Sequence, residues 1–284
     1  VRVLVTGAAG QLGLDCVATC RAAGDEVAGL ARDRLDVTDR DAVLGAVTTL
    51  RPDVVLHCAA WTAVDACEAD PARAYTENAL AVRWMADACR RTGTHLVTVS
   101  TDYVFDGTKV GPYHEWDTPA PRSVYGASKL AGEREALEAG IGATVVRTSW
   151  VCSEHGSNMV KTVLRLASER PELSFVDDQR GHPTFTADLA PMLRRLALDR
   201  RSGLHHVTNQ GAVSWYEFVQ AIVLAMGKDP GMVRPIPTAA LTPPRPAPRP
   251  ANSVLDNAVL RAAGVALLDD FRLPLERVVR RLLT

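Results

Sequence analysis

The chain is short of several things, and each shortage excludes something. Its 284 residues carry 32 Lys plus Arg against 33 Asp plus Glu, so no surplus of positive charge is available to hold a nucleic acid. No uncharged apolar run approaches the ~20 residues that a membrane-spanning helix needs. The opening Val1-Arg2-Val3-Leu4-Val5-Thr6 is too short for a leader and runs straight into a glycine turn, so it reads as a first strand. A soluble, cytoplasmic protein with no nucleic-acid or membrane partner is the expectation. The six cysteines (Cys16, Cys20, Cys58, Cys67, Cys89 and Cys152) contain no C-x-x-C pair and no zinc spacing. Most sit in apolar surroundings and read as small buried hydrophobes. Lysine is also scarce: four against twenty-eight arginines (32 − 4), a bias that a GC-rich coding sequence explains. One of the four, Lys129, nevertheless lies where chemistry would want it.

What is present is ordinary globular material, 47% hydrophobic and 23% charged, in a length suited to two domains or one large one. Short β-rich runs at 2–6, 26–30, 54–58, 96–100 and 144–147 alternate with helical spacing at 12–23, 40–50, 73–91 and 123–138. Such alternation forces parallel strands joined by right-handed crossovers, hence an α/β fold with a doubly wound parallel sheet of the Rossmann kind. After about Arg147 the rhythm breaks. Loops rich in Gly, Pro and polar residues are expected at 154–158 and 177–186, as in binding regions. Seven of the sixteen residues from Pro235 to Pro250 are proline. Because an amphipathic helix at 275–283 follows, this stretch is expected to lie extended against the body of the protein.

Directly after the first strand stands Gly7-Ala8-Ala9-Gly10-Gln11-Leu12-Gly13, opening a helix. Glycines at this spacing permit a tight turn and let the backbone approach a pyrophosphate, whose charge then meets a helix N-terminus. The strand-turn-helix context makes this a dinucleotide site. The second strand ends in Ala31-Arg32 where an acid would hold a ribose hydroxyl. Arg32 suits a 2′-phosphate, so NADPH is expected, with NADH as the alternative because Asp33 follows at once. Asp36-Val37 falls where the adenine edge would rest. Residues 1–148 are thus expected to form the NADP-binding domain. Residues 149–284 would form mainly a smaller α/β substrate-binding domain, with some segments returning to the sheet.

Tyr125-Gly126-Ala127-Ser128-Lys129 places a phenol and an ammonium at i and i+4, on one face of a helix. A free phenol has a pKa near ~10, and a nearby ammonium is expected to lower it. The strand ending at Ser100-Thr101 supplies a hydroxyl for a carbonyl oxygen. Thr101, Tyr125 and Lys129 are the candidate catalytic residues. With the glycine turn, they make the first half similar to an extended short-chain dehydrogenase/reductase.

Five further stations narrow the resemblance: residues 58–65 (CAAWTAVD), 100–107 (STDYVFDG), 147–151 (RTSWV), 178–184 (DQRGHPT) and 249–253 (RPANS). Together they resemble the dTDP-4-dehydrorhamnose reductase family across nearly the whole chain. The resemblance implies reduction of the 4-keto group of a dTDP-linked 6-deoxyhexose, most simply dTDP-4-dehydro-L-rhamnose. It implies that Tyr125 protonates the alkoxide, Thr101 polarises the carbonyl, and Lys129 holds the nicotinamide ribose. Ala59, Ala60 and Thr62 would flank the cofactor. Val64, Asp102, Tyr103 and Trp150 would line the sugar pocket, with Gln179, Thr184 and Arg249 on the nucleotide-sugar side.

Three residues depart from the family pattern at the pocket border: Trp61, Cys67 after Ala66, and Cys152. They bear on which sugar is taken more than on the reaction. Some relatives are associated with magnesium, and Asp15 and Asp188 fall at two matching positions. No third ligand stands near Phe271-Arg272-Leu273, so no metal site is expected. His182, His205 and His206 are read as structural. A homodimer is left open. The rivals are a dehydratase or epimerase on the same scaffold, disfavoured because Tyr103 stands where a dehydratase has an acid after Asp102, a 4-ketoreductase for another deoxysugar such as an antibiotic sugar or dihydrostreptose, and a non-catalytic regulatory subunit like the β subunit of methionine adenosyltransferase.

Overall fold

The computed structural model describes residues 1–284. Its first strand, β1 (Arg2–Thr6), sends Val3 and Val5 into one apolar cluster and Leu4 into another. Side chains that alternate between two buried faces belong to a sheet covered on both sides. The other strands are β2 (Glu26–Leu30), β3 (Val54–His57), β4 (His95–Thr101), β5 (Thr144–Thr148) and a late one, Gly203–His206. All pair in parallel, in the order Gly203–His206, β5, β4, β3, β1, β2. The chain winds one way from β1 to β2 and the other way from β3 onward. That reversal opens a crevice between the C-terminal ends of β1 and β3, where α/β sheets bind ligands. The α/β, doubly wound reading of the sequence therefore holds.

Register decides what overhangs the crevice. Thr6 is level with His57, and His57 with Thr98, so β4 runs three residues past β3 and β1, ending level with β5 at Thr148, and carries Val99, Ser100 and Thr101 beside the opening. The helix Gln11–Ala22 starts at the crevice floor, and Val124–Glu138 runs along its side.

The helix expected at 73–91 is broken. Pro71–Tyr75 and Ala81–Thr92 are joined by a π turn, Thr76–Leu80, a wide turn of the kind often found at functional sites. The loop expected at 177–186 contains two short strands, Arg180–Gly181 and Thr184–Phe185, and ends at the start of helix Thr186–Leu198. A third apolar cluster, around Phe185, Phe218 and Phe271, fills the C-terminal part. The proline-rich stretch begins as a strand, Val233–Ile236, parallel to Leu173–Val176, and is then tied down by Asp65. Asp65 accepts from the Ala247 N–H at 3.1 Å and from Arg249 Nη2 at 2.8 Å. All six cysteines are free, and all but Cys58 are buried.

Candidate active site

At the floor of the crevice the backbone has room for nothing larger than glycine. Gly7 has φ +64, and a Cβ on Gly13 would fall 2.1 Å from the Gly7 carbonyl oxygen. The turn therefore folds back on the first turn of helix Gln11–Ala22 and leaves the helix N-terminus open to the cavity. Gln11 is held over this edge by Asn158 Nδ2, which donates to its Oε1 at 2.9 Å.

Two cavities meet at Gly7, Gly10, Cys58 and Ala60. The larger, about 390 Å³, takes in Gly7, Gly10, Gln11, Leu12 and Gly13 at one end and Thr101, Asp102, Tyr103, Tyr125 and Lys129 at the other. Thr62, Val64 and Trp150 complete the expected members of its wall. The smaller, about 230 Å³, holds Arg32, Asp36, Val37 and Ala59. Asp33 is exposed and stays out of it. A third cavity, about 260 Å³, adjoins Tyr103 and contains Gln179 and Arg249.

Thr184 does not join them. It is fully buried in the strand pair beside Val151–Cys152, with its N–H on the Trp150 carbonyl oxygen at 3.2 Å and its hydroxyl turned to His182 O. It supports Trp150 from behind.

Helix Val124–Glu138 is placed by its first turn. Ser123 caps it by accepting from the Gly126 N–H at 3.1 Å, and Glu68 accepts from the Val124 N–H at 2.8 Å. A Cβ on Gly126 would lie 2.2 Å from Tyr103 O, so only glycine lets the helix close on the turn Asp102–Val104. This contact sets the Tyr125 ring edge-on to Tyr103, centroids 5.7 Å apart.

Burial governs the charges. The Tyr125 phenol is pushed well above its ordinary value by burial, with the Thr101 hydroxyl working the other way. Lys129 is pushed down to about 8, again chiefly by burial, with Glu133 opposing. Its Nζ donates to Val99 O at 2.6 Å. The expectation that this ammonium lowers the phenol is therefore corrected: it is spent on a backbone carbonyl, and desolvation dominates at Tyr125. Asp102 is pushed up to about 7 by burial; its Oδ1 accepts from Thr101 at 3.0 Å and its Oδ2 has no partner. The Thr148 hydroxyl in the same wall is also unpartnered. Beneath lies a buried ion pair, Arg147 on Glu133 at 2.7 and 2.8 Å.

Several residues of the site escaped the sequence. Trp215 stacks on Trp150 with centroids 3.7 Å apart and planes 7° from parallel, so one face of Trp150 is already covered by protein. Trp150 reaches that position through a left-handed backbone, φ 44, which costs a non-glycine residue on the order of 1–2 kcal/mol. Glu77 enters the smaller cavity from the π turn. Asn78, next to it, accepts from the Trp61 N–H at 2.8 Å and donates to Ser128 Oγ at 3.0 Å, binding that turn to helix Val124–Glu138.

His182 and His206 are buried, and Asp15 and Asp188 are each engaged by neighbouring side chains. Burial pushes His206 down to about 3 and His182 to about 4. Asp15 accepts from Thr186 and Ser153, and Asp188 from Asn209 Nδ2 at 2.8 Å and Arg277 at 3.1 Å. No third His, Cys, Asp or Glu gathers with them into a set that could hold a metal ion, and Asp188 is paired with the Arg277 guanidinium.

A phosphate turn at the sheet's switch point, facing a Thr, Tyr and Lys on one wall, defines an extended short-chain dehydrogenase/reductase. Within that class, the RmlD substrate binding domain family matches residues 1–284, and the chain belongs to the dTDP-4-dehydrorhamnose reductase (RmlD) family. It is 43% identical over 278 residues to dTDP-4-dehydrorhamnose reductase of Streptomyces griseus, covering 95% of this chain and 90% of that protein. It is 44% identical over 276 residues to a probable dTDP-4,6-dihydroxy-2-methyloxan-3-one 4-ketoreductase of Streptomyces antibioticus, covering 96% and 92%. Among solved structures, that of dTDP-4-dehydrorhamnose reductase from Bacillus anthracis in complex with NADP superposes with a TM-score of 0.94, at 38% identity over 99% of each chain.

Proposed function

We propose that this chain is an NADPH-dependent reductase of the 4-keto group of a dTDP-4-keto-6-deoxyhexose, converting dTDP-4-dehydro-L-rhamnose to dTDP-L-rhamnose. The observation that carries the reading is convergence: the glycine turn, Thr101, Tyr125 and Lys129 line one cavity, although 94 residues separate Gly7 from Thr101. The glycine cradle and the unpartnered Asp102 and Thr148 oxygens fit a dinucleotide lying beside a polyhydroxy sugar.

NADPH, when bound, supplies the hydride. Gly7, Gly10, Gln11, Leu12 and Gly13 receive its pyrophosphate. Arg32, Asp36, Val37 and Ala59 take the adenosine end; Ala60, Thr62, Tyr125 and Lys129 take the nicotinamide end. Thr101 donates to the ketone oxygen and draws charge onto it. As that oxygen becomes an alkoxide, Tyr125 gives it a proton. Burial keeps the phenol protonated, so the proton is in place when the alkoxide forms. Lys129, fixed by Val99 O, bears a charge near neutral pH and holds the ribose. Val64, Asp102, Tyr103 and Trp150 surround the hexose. Gln179 and Arg249, across Tyr103 from it, face the nucleotide portion of the sugar, and Thr184 acts through Trp150 alone. The substrate-side region 149–284 would supply most of these last contacts.

The intact Thr101, Tyr125 and Lys129 favour an enzyme over a regulatory subunit. A second reading, a 4-ketoreductase for another dTDP-deoxysugar, is favoured by the similarity to the Streptomyces antibioticus protein; Trp61, Cys67 and Cys152, which depart from the family pattern, line none of the three cavities. The test is NMR and mass spectrometry of the product formed from dTDP-4-keto-6-deoxy-L-mannose and NADPH. The expected result is dTDP-L-rhamnose, one NADPH consumed per molecule. No turnover of that sugar, with reduction of a different dTDP-ketosugar, would replace the first reading by the second.

A further inference from the structure

The second strand ends without the acid that usually meets a ribose 2′-hydroxyl. The same cavity nevertheless receives a carboxylate from another element. The π turn carries Glu77 into the wall opposite Arg32, 45 residues away in sequence. The Glu77 side chain is only 12% exposed, whereas that of Arg32 is 64% exposed. Glu77 Oε1 lies 3.5 Å from both terminal nitrogens of Arg32, a loose pairing, and 2.7 Å from Arg73 Nε, a close one. Arg73 is itself anchored, its guanidinium carbon 4.2 Å from the centroid of the Trp61 ring. Asp36 is a weaker rival for Arg32, at 4.0 Å, with its other oxygen engaged by Thr38.

We infer that Glu77 sets the balance between NADPH and NADH. The carboxylate stands in for the missing acid at the end of β2, accepting from a ribose hydroxyl and repelling a 2′-phosphate. It also competes with that phosphate for Arg32. Arg73 tempers both effects by neutralising Glu77 and holding it back from Arg32. The nucleotide end is thus a three-charge device, Arg32–Glu77–Arg73, that leaves room for either coenzyme. A buried carboxylate acts over a few ångströms with little solvent screening, so its removal has a measurable effect on a nearby dianion.

This inference rests on the dinucleotide reading of the cleft and is tested by binding alone. Dissociation constants for NADPH and NADH are measured by fluorescence titration of the full chain, free of substrate, as wild type, Glu77→Gln and Arg73→Gln. Glu77→Gln should tighten NADPH by about three- to tenfold and leave NADH unchanged or weaker. Arg73→Gln should shift the ratio the opposite way, because the unneutralised carboxylate then claims Arg32. An unchanged ratio in a folded Glu77→Gln protein overturns the inference. Should that variant fail to fold, an unchanged ratio in Arg73→Gln overturns it instead. A wild type that binds neither nucleotide refutes the dinucleotide site itself, a separate failure.

Discussion

The two ends of the cleft are built on opposite principles. At the end that carries Arg32, backbone and loosely held surface charge predominate: a glycine turn with no room for a methyl group, and an Arg32 whose partners stand 3.5 and 4.0 Å away. At the end that carries Tyr125, the residues Thr101, Asp102, Tyr125 and Lys129 are all buried, and burial is the largest influence on the last three. The first end recognises by shape and adjusts by the charges of a buried Glu77 and an exposed Arg32. The second buries its groups, which raises Asp102 and Tyr125 and lowers Lys129. An exposed pair is worth about 0–1 kcal/mol, whereas burying an ionisable group shifts its pKa by as much as ~3–5 units. Changes at the first end should therefore act through backbone geometry or modest nucleotide preference, and changes at the second through turnover and pH.

The contrast is open to attack at both ends. Gly13→Ala should have the larger effect. Its Cβ would meet backbone 2.1 and 2.8 Å away, and backbone cannot swing aside as a side chain does. We expect a loss of about 2–3 kcal/mol of stability and dinucleotide binding weakened by about 100-fold or more, read by thermal unfolding and fluorescence titration. Near-normal binding would show that the cradle tolerates rearrangement. Asp102→Asn probes the buried end through its pH dependence. The Asp102 carboxyl keeps its proton up to about pH 7 in the folded chain, whereas an unfolded one gives it up near ~4. Between those values the native state binds the extra proton, so stability falls as pH rises and stays reduced above 7. The amide does not ionise. The variant should match the wild type below about pH 4 and exceed it above pH 7 by on the order of 2–4 kcal/mol. Parallel curves of melting temperature against pH would contradict a buried, protonated Asp102.

The difference between the two ends also explains what the sequence made legible. Gly7, Gly10 and Gly13 announce themselves because a phosphate turn is local, and Tyr125 with Lys129 because helical spacing is local. The sheet follows from alternating patterns, and even the place of the proline-rich stretch follows from what lies beyond it. Glu77, Trp215 and the Asp65–Arg249 pair leave no such trace, since each acts on a residue far away in sequence; 184 residues separate Asp65 from Arg249. The π turn at 76–80 has no periodicity of its own to betray it. Thr184 was expected near the nucleotide sugar because its motif is contiguous with Gln179, but the short strand at 184–185 turns its side chain inward. The Tyr125–Lys129 spacing suggests a mutual influence that depth of burial overrides.

The central claim is that Tyr125 delivers the proton. Its most direct test is Tyr125→Phe, measured for NADPH affinity and for turnover of the dTDP-ketosugar in the same preparation. Loss of the hydroxyl alone should leave the dissociation constant within about twofold and cut turnover by about 10²–10⁴-fold. Turnover that survives at the wild-type rate would show that another group supplies the proton.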